Sequence, residues 1–231
     1  MKVSLVSYSQ PTEEFESQGI HDAQELIAYC ARVSNPANQF NTETSAKLIR
    51  YLVRHQHWSP LEMVSACVEI ETTRDIARQI LRHRSFSFQE FSQRYADPIQ
   101  DLDFVIREAR LQDPKNRQAS VKLDLTTDFE ARVISAEWYR LQQEVIATAR
   151  QAYTWAVANG IAKEQARVVL PEGNTVSKLY MNGTLRSWIH FIELRSGHGT
   201  QLEHQEVARA VASAIAAVFP MTEEFVNGDS K

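Results

Sequence analysis

The chain has 231 residues, of which 43% are hydrophobic and 23% charged, and its formal net charge is -4. These proportions are typical of a folded globular protein and exclude wholesale disorder, and the acidic balance disfavours binding of nucleic acid or an anionic membrane through overall charge. No Pro-, Gly- or Ser-rich linker interrupts the chain, so we expect a single domain over residues 1–231.

The expected subcellular location is inferred from the apolar segments of the chain. The N-terminal residues lack the apolar core of a signal peptide, and no apolar run of about 18 residues occurs. We therefore expect a cytoplasmic protein with no membrane partner. Cys30 and Cys67 form neither a metal-binding spacing nor a disulfide framework, and both lie among apolar residues, as buried cysteines usually do.

Strands and helices alternate in the first part of the chain. Residues 2–9 have the composition of a short strand, whereas residues 22–33 and 45–53 have apolar residues at helical spacing. EMVSACVEIE, residues 62–71, alternates between apolar and other side chains. This alternation predicts a strand with one strongly apolar face.

A helix is predicted directly after this strand. Thr72 opens a T-x-x-D segment that resembles a capping box, and the helical pattern ends near Leu81. Arg74, Arg78 and Arg82 recur every four residues and predict a row of guanidinium groups on one side of this helix.

The second half is predicted to be mainly helical. Residues 96–127 form a long polar excursion with a strand-like DFVI inside, and residues 129–158 give the longest helical pattern, with apolar positions at Ile134, Trp138, Leu141, Val145, Ala152 and Trp155. Further patterns indicate helices at 163–169, 185–195 and 203–219 and a strand at 175–182. We predict an α+β (mixed α/β) fold, with several helices packed on a small twisted β-sheet and long helices in the C-terminal half.

The densest chemistry lies in RHRSFSFQEFSQRY, residues 82–95, where arginines and serines alternate with aromatic rings. Neither G-x-G-x-x-G nor G-x-x-x-x-G-K-[ST] occurs in the chain, so a bound nucleotide must be held by side chains. The structural alternative for the arginine row is a solvated, salt-bridged helix face. Guanidinium and hydroxyl donors among rings favour a ligand that carries both phosphate and a flat base.

Histidines and serines offer weaker hypotheses. His55 and His57 could be two metal ligands, with His198 or His204 as a third, but hydrogen bonding or pocket lining is the simpler interpretation. No G-x-S-x-G elbow is present, and Ser92 is more simply a hydrogen-bond donor than a nucleophile.

The spacing Arg82-His83-Arg84, seven residues, Ser92, one residue and Arg94 resembles the RHR-x7-S-x-R motif of the flavin-dependent thymidylate synthase family. Flanking segments ELIAYCARVS, HQHWSPLE, ARQILRHR and ARVVLP agree with it, over roughly residues 20–215. The resemblance implies a methyltransferase with FAD as cofactor, which converts dUMP to dTMP with 5,10-methylenetetrahydrofolate as carbon donor and NADPH as reductant. It also implies a homotetramer with active sites shared between subunits.

The same resemblance implies two sets of binding residues and no metal. The FAD set is Ser59, Arg82, His83, Arg84, Glu90, Thr184, Leu185, Arg186 and His190. The dUMP set is Gln79, Arg82, Glu90, Phe91, Ser92, Gln93, Arg94, Arg167 and Arg195. Arg195 takes the place of an arginine that assists ionisation at uracil N3, which makes it the candidate catalytic residue. Thr184 stands where the family pattern has asparagine.

Two routes can prepare uracil C5 for a one-carbon unit. A cysteine can add at C6, but Cys30 lies on an apolar helix and Cys67 has no cationic neighbour in sequence, so neither fits a reactive thiolate. The flavin route instead polarises the ring, and Arg195 would stabilise the resulting anion because an arginine keeps its own proton. The alternatives are a non-catalytic nucleotide-binding or regulatory module and a histidine-dependent metal hydrolase.

Overall fold

The computed structural model describes residues 1–226, and residues 227–231 of the predicted domain lie outside the described part. The helices are α1 (Glu13–Glu16), α2 (Ala23–Ala31), α3 (Ser45–Arg54), α4 (Arg74–Ile80), α5 (Pro98–Asp101), α6 (Phe129–Ala158), α7 (Lys163–Ala166), α8 (Leu185–Arg195) and α9 (Leu202–Ala216). The strands are β1 (Lys2–Tyr8), β2 (Ser65–Thr73), β3 (Ser87–Glu90), β4 (Arg110–Gln112), β5 (Ser120–Lys122) and β6 (Val176–Thr184). This mixture of helices and a small antiparallel sheet confirms the predicted fold class.

The main sheet has the strand order β1-β2-β6-β3, and every neighbouring pair is antiparallel. On β2 and just before it, Val64, Ala66, Val68 and Ile70 are buried and the residues between them are not, which confirms the predicted alternation. Helices α4, α8 and α9 pack on the strands and form the core on this side. The strand itself lies two to three residues later than predicted, because the residues just before Ser65 form a 3-10 turn, Ser59–Glu62.

The predicted capping box at the start of α4 is wrong by one residue. Thr73 is the N-cap, and its hydroxyl donates to Asp75 (2.6 Å) instead of capping a backbone N–H. Asp75 also pairs with Arg107 (2.6 Å). The Asp75 carboxylate therefore contacts the excursion of residues 96–127. This excursion contains α5 and the β4–β5 hairpin. Its DFVI segment, which looked strand-like, forms one isolated bridge, Phe104 to Thr175.

Helices α6 and α9 differ in how far their apolar residues are buried. Val207, Val211 and Ile215 of α9 are fully buried within the chain. On α6, by contrast, Trp138 and Trp155 are 45% and 61% exposed, so the described residues leave much of its apolar stripe uncovered. Within residues 1–226, no helix combines the length and apolarity that crossing a bilayer requires.

Candidate functional site

Strand β3 connects the two parts of the RHR-x7-S-x-R motif. It runs antiparallel to β6, with Ser87 opposite Asn182 and Glu90 opposite Leu179. Residues 82–84 therefore lie at the end of the sheet where β6 leads into α8, and residues 91–94 lie at the end where β6 begins. We call the first group and its neighbours the RHR end and the second the SQR end; the four-residue strand between them is itself about 10 Å long.

At the RHR end, Arg195 is held by a histidine. Its Nε donates to His83 Nε2 (2.9 Å), and the His83 ring packs edge-on against Phe191 (5.0 Å between centroids). Burial and the Arg195 charge lower the pKa of His83 to about 4. His83 is therefore neutral at physiological pH and can accept the N–H of the guanidinium. The contact fixes the orientation of Arg195.

Arg82 and Arg84 carry the other two guanidinium groups at this end. The side chains of Arg82 and Arg84 are exposed, and no carboxylate among residues 1–226 forms an ion pair with either. Exposed arginines without partners are able to bind an anion without first breaking an internal salt bridge.

The turn that joins Arg84 to β3 packs closely on β6. Phe86 lies directly over Gly183, where any Cβ would collide with its ring, and it packs against Trp188 (4.6 Å between centroids). Glycine at this position allows the close approach. The RHR end is therefore attached to a rigid part of the core.

The start of α8 bears part of the FAD set predicted from the resemblance. Thr184 is the N-cap and accepts from the Ser187 N–H (3.4 Å), while the Ser187 hydroxyl donates to the Ser85 carbonyl (3.2 Å). Threonine can fill the capping role of the expected asparagine. Leu185 is 1% exposed in the core, and its N–H donates to the Val64 carbonyl. The contact of Leu185 with the cofactor stays a prediction, and within the described residues its side chain and N–H are both engaged by the core.

Three more predicted FAD residues come together beside α8. The 3-10 turn that begins at Ser59 ends at Glu62, which pairs with Arg186 (2.6 Å). The preceding Trp58 ring packs edge-on against His190 (4.3 Å between centroids). Burial, and to a smaller extent Arg186, lowers the pKa of His190. Residues more than a hundred positions apart thus form one surface.

At the SQR end, Arg74 and Arg94 lie beside carboxylates, whereas Arg167 donates to the Glu164 backbone carbonyl (3.3 Å). Glu90 lies 3.8 Å from Arg74 and accepts from the Ser177 hydroxyl (2.9 Å). Arg74 is only 7% exposed, and burial lowers its pKa. Arg78, its neighbour in the predicted row, pairs with Glu172 (3.5 Å). The row is therefore not one uniform surface, because its first member is buried against the strand.

The loop after β3 contacts α7. Arg94 lies 3.6 Å from Glu164, and Arg167 lies in the turn that follows α7. Arg167 Nε donates to the backbone carbonyl of the same Glu164 (3.3 Å). Arg94 and Arg167 thus both contact Glu164, beside the loop that follows β3.

The remaining residues of the dUMP set differ in availability. Ser92 Oγ accepts from the Arg94 N–H (3.4 Å), and the Phe91 N–H donates to the Lys178 carbonyl (2.8 Å). Gln93 is 3% exposed, and its Nε2 has no hydrogen-bond partner among the described residues. A buried amide of this kind is a donor that a bound ligand can satisfy.

Gln79 has partners that the sequence did not indicate. Its Nε2 donates to Gln201 Oε1 (2.8 Å), and His204 Nδ1 lies 3.3 Å from its Oε1. Gln201 in turn donates to Glu203 (2.9 Å). These residues lie more than 120 positions away from Gln79 and belong to no local motif, so no sequence signal marked them.

His55 and His57 pack around a tyrosine. Tyr51 lies 4.2 Å from the His55 ring and 6.3 Å from the His57 ring, between centroids. Among residues 1–226, no group of three or more His, Cys, Asp or Glu side chains is placed to hold a metal.

The two cysteines have ordinary structural surroundings. Cys30 and Cys67 are free and half-buried, and burial raises the pKa of each thiol. Both thiols are therefore protonated at neutral pH, which makes each a poor nucleophile.

Comparisons with known proteins agree with this geometry. Residues 17–221 match the family model described as thymidylate synthase complementing protein. The chain is 44% identical over 220 residues to a probable flavin-dependent thymidylate synthase of Paramecium bursaria Chlorella virus 1, covering 95% of this chain and 96% of the relative. It is also 44% identical over 221 residues to the flavin-dependent thymidylate synthase of Synechocystis sp., covering 95% and 96%.

The chain belongs to the flavin-dependent thymidylate synthase family. This confirms the resemblance drawn from the motif. Among solved structures, a UMP/dUMP methylase, PolB from Streptomyces cacaoi, bound with 5-Br dUMP, has a similar fold, with a TM-score of 0.73 and 26% identity over 97% of this chain and 93% of that chain.

Proposed function

We propose that this family member is a methyltransferase that forms dTMP from dUMP by reductive methylation. FAD is the cofactor, 5,10-methylenetetrahydrofolate the carbon donor and NADPH the reductant. The observation that carries the proposal is the RHR-x7-S-x-R motif, whose basic groups lie at the two ends of one strand. The names of the relatives and of the similar methylase support the same reaction.

The residues at the RHR end fit a flavin dinucleotide. Arg82 and Arg84 have no carboxylate partner among the described residues, so they suit a diphosphate. The FAD contacts we propose are Ser59, Arg82, His83, Arg84, Glu90, Thr184, Leu185, Arg186 and His190. When bound, FAD supplies the hydride for the reduction, while the protein supplies position and electrostatics.

The SQR end suits the nucleotide phosphate. Arg94 and Arg167 face this end from two different elements, and Ser92 adds a hydroxyl donor. Paired N–H groups of arginine match the geometry of phosphate oxygens. Gln93 offers a buried donor without a partner among residues 1–226. The further contacts with dUMP that we propose are Gln79, Arg82, Glu90 and Phe91.

Arg195 is the proposed catalytic residue. Because His83 accepts its Nε–H, the terminal N–H groups of Arg195 remain available for the uracil ring. A fixed cation there stabilises the anion that forms when the N3 proton leaves, which raises electron density at C5. Arg195 keeps its own proton throughout.

No cysteine nucleophile is needed for this reaction. Burial raises the pKa of both Cys30 and Cys67, and neither forms an ion pair or hydrogen bond with a basic group of the described residues. Enzymes that use a thiolate lower its pKa with a nearby cation instead.

We further propose that one domain of this kind assembles as a cytoplasmic homotetramer with shared active sites. The exposed apolar stripe of α6, which includes Trp138 and Trp155, supports an assembly because monomers rarely expose large apolar patches. All substrates are small soluble molecules. Light scattering on the purified protein should give four times the chain mass, and a monomer would contradict the assembly.

A single assay separates the enzyme from a non-catalytic nucleotide-binding or regulatory module. The purified protein is incubated with dUMP, FAD, NADPH and methylenetetrahydrofolate, and dTMP is measured with each component omitted in turn. We expect dTMP only in the complete mixture, and a bound-flavin spectrum that NADPH bleaches. Binding of dUMP without dTMP formation would favour the module.

A further inference from the structure

The side-chain amide of Gln79 is held from two sides by residues of the C-terminal part of the chain. Its nitrogen donates to Gln201 Oε1 (2.8 Å), and its oxygen lies 3.3 Å from His204 Nδ1. Gln201 immediately precedes α9, and His204 lies in the first turn of that helix. Gln79 lies near the end of α4, one turn before His83. The contact therefore joins α9 to the segment that leads into the RHR end.

The chemistry of this contact fixes the tautomer of His204. An amide oxygen can only accept, so Nδ1 carries the proton and Nε2 carries a lone pair. His204 is fully buried, and its Nε2 has no partner among residues 1–226. Burial, with smaller contributions from Arg195 and His83, lowers the pKa of His204 to about 3. The imidazole therefore stays neutral and acts as a fixed donor.

Gln201 is itself anchored. Its Nε2 donates to Glu203 (2.9 Å), and Glu203 pairs with Arg110 and lies 4.0 Å from Arg107. Arg107 and Arg110 belong to the excursion of residues 96–127, for which the sequence suggested no role. The excursion thus holds Glu203, from which a series of polar contacts leads through Gln201 to Gln79.

We propose that His204 and Gln201 are positioning residues for nucleotide binding, which hold the Gln79 amide with its oxygen turned inward and one N–H free for an acceptor oxygen of dUMP. The inference rests on the proposed function, in which Gln79 contacts dUMP. The Gln79 amide accepts from His204 and donates one N–H to Gln201. An amide nitrogen has two N–H groups, so one remains for the ligand. Neither positioning residue needs to touch the substrate.

The first test measures dUMP affinity of the FAD-loaded, full-length protein by isothermal titration calorimetry. His204→Leu keeps the bulk but removes the donor, and should weaken dUMP binding about tenfold. His204→Asn retains an N–H near the Nδ1 position and should recover affinity to within about threefold of wild type. Val207→Ala, a buried change one turn along α9, is the matched control and should lower the melting temperature without changing dUMP affinity.

The second test is a double-mutant cycle with Gln79→Ala. If His204 acts through Gln79, His204→Leu should have no further effect on dUMP affinity in the Gln79→Ala background. Wild-type affinity in His204→Leu, an equal loss in Val207→Ala, or additive effects in the cycle would each overturn the inference while wild-type activity remains. A wild-type protein that neither binds dUMP nor forms dTMP would overturn the proposed function, and the role of Gln79 with it.

Discussion

The two ends of β3 use arginine in opposite ways. At the RHR end, Arg82 and Arg84 are exposed with no ion-pair partner among the described residues. At the SQR end, Arg94 faces Glu164 and Arg74 faces Glu90. An anion binds Arg82 and Arg84 directly, but it must compete with carboxylates for Arg74 and Arg94, so that Arg167 is the arginine of the second end without an ion pair among residues 1–226. The difference fits a cofactor that stays bound and a nucleotide that leaves after each turnover.

The largest expected effect comes from Arg195→Ala, because this residue acts on the chemistry at the RHR end. We expect kcat to fall by roughly 100- to 1000-fold, the usual loss when a preorganised donor to a developing anion is removed. Affinity for dUMP should change by less than about tenfold, since the phosphate contacts lie at the other end. Arg209→Ala, an exposed arginine of α9, is the control. Unchanged turnover in Arg195→Ala would remove its catalytic assignment.

Arg84→Ala tests the unpaired arginines. Losing a charge-assisted contact to a diphosphate should weaken FAD binding roughly 10- to 100-fold, which flavin fluorescence during titration can measure. Arg78→Ala is a close control, because Arg78 is also exposed and basic but pairs with Glu172. Equal FAD affinities for the two variants would show that the RHR end does not bind the diphosphate.

Arg94→Ala tests the paired arginines. Because Arg94 already interacts with Glu164, its removal should cost less than that of Arg84, about tenfold in dUMP affinity, with FAD affinity unchanged. Calorimetric titration with dUMP gives the value directly. A larger effect on FAD than on dUMP would reverse the assignment of the two ends.

Much of the fold was predictable because its causes are local. The alternation in β2 and the helical period of α8 depend on residues a few positions apart, and α8 has the bounds that its sequence predicts, Leu185–Arg195. The motif also placed the arginines at the start and end of one short segment. Contacts between residues that are far apart in the sequence have no such local signal.

The unpredicted part of the site consists of these distant pairs. The contacts of Gln79 with Gln201 and His204 join residues that share no period or motif. Asp75 looked like a helix-capping partner, but Arg107 of the excursion provides a stronger ionic contact for it. The burial of Leu185 was also hidden, because a leucine at a helix start can face either the core or a ligand.

Acid should lower the stability of the protein in a defined pH range, because two histidines near the RHR end are neutral in the folded state. The folded-state pKa is about 4 for His83 and about 3 for His204, below the unfolded value of about 6.5. At a pH between the folded and unfolded pKa values, the unfolded state binds protons that the folded state does not. The contribution of the two neutral histidines to the free energy of unfolding is therefore complete above about pH 6.5 and is lost as the pH falls toward 4 for His83 and 3 for His204. Urea unfolding of wild type should show this loss, and His204→Asn a shallower one. Parallel curves for the two proteins would contradict it.

The smallest expected effect is that of the cysteines, and it tests whether the sheet supplies a nucleophile to β3. Cys67 lies opposite Asn182, which lies opposite Ser87 of β3, so the sheet places it two strands away from the motif. Its pKa is raised by burial, and a protonated thiol cannot add to uracil C6. Cys67→Ser and Cys30→Ala should each keep kcat within about twofold of wild type, since neither thiol takes part in the flavin route. If Cys67→Ser alone lost most of its turnover while retaining FAD and dUMP affinity, the thiol would be the nucleophile and Arg195 would have to act on a covalent adduct.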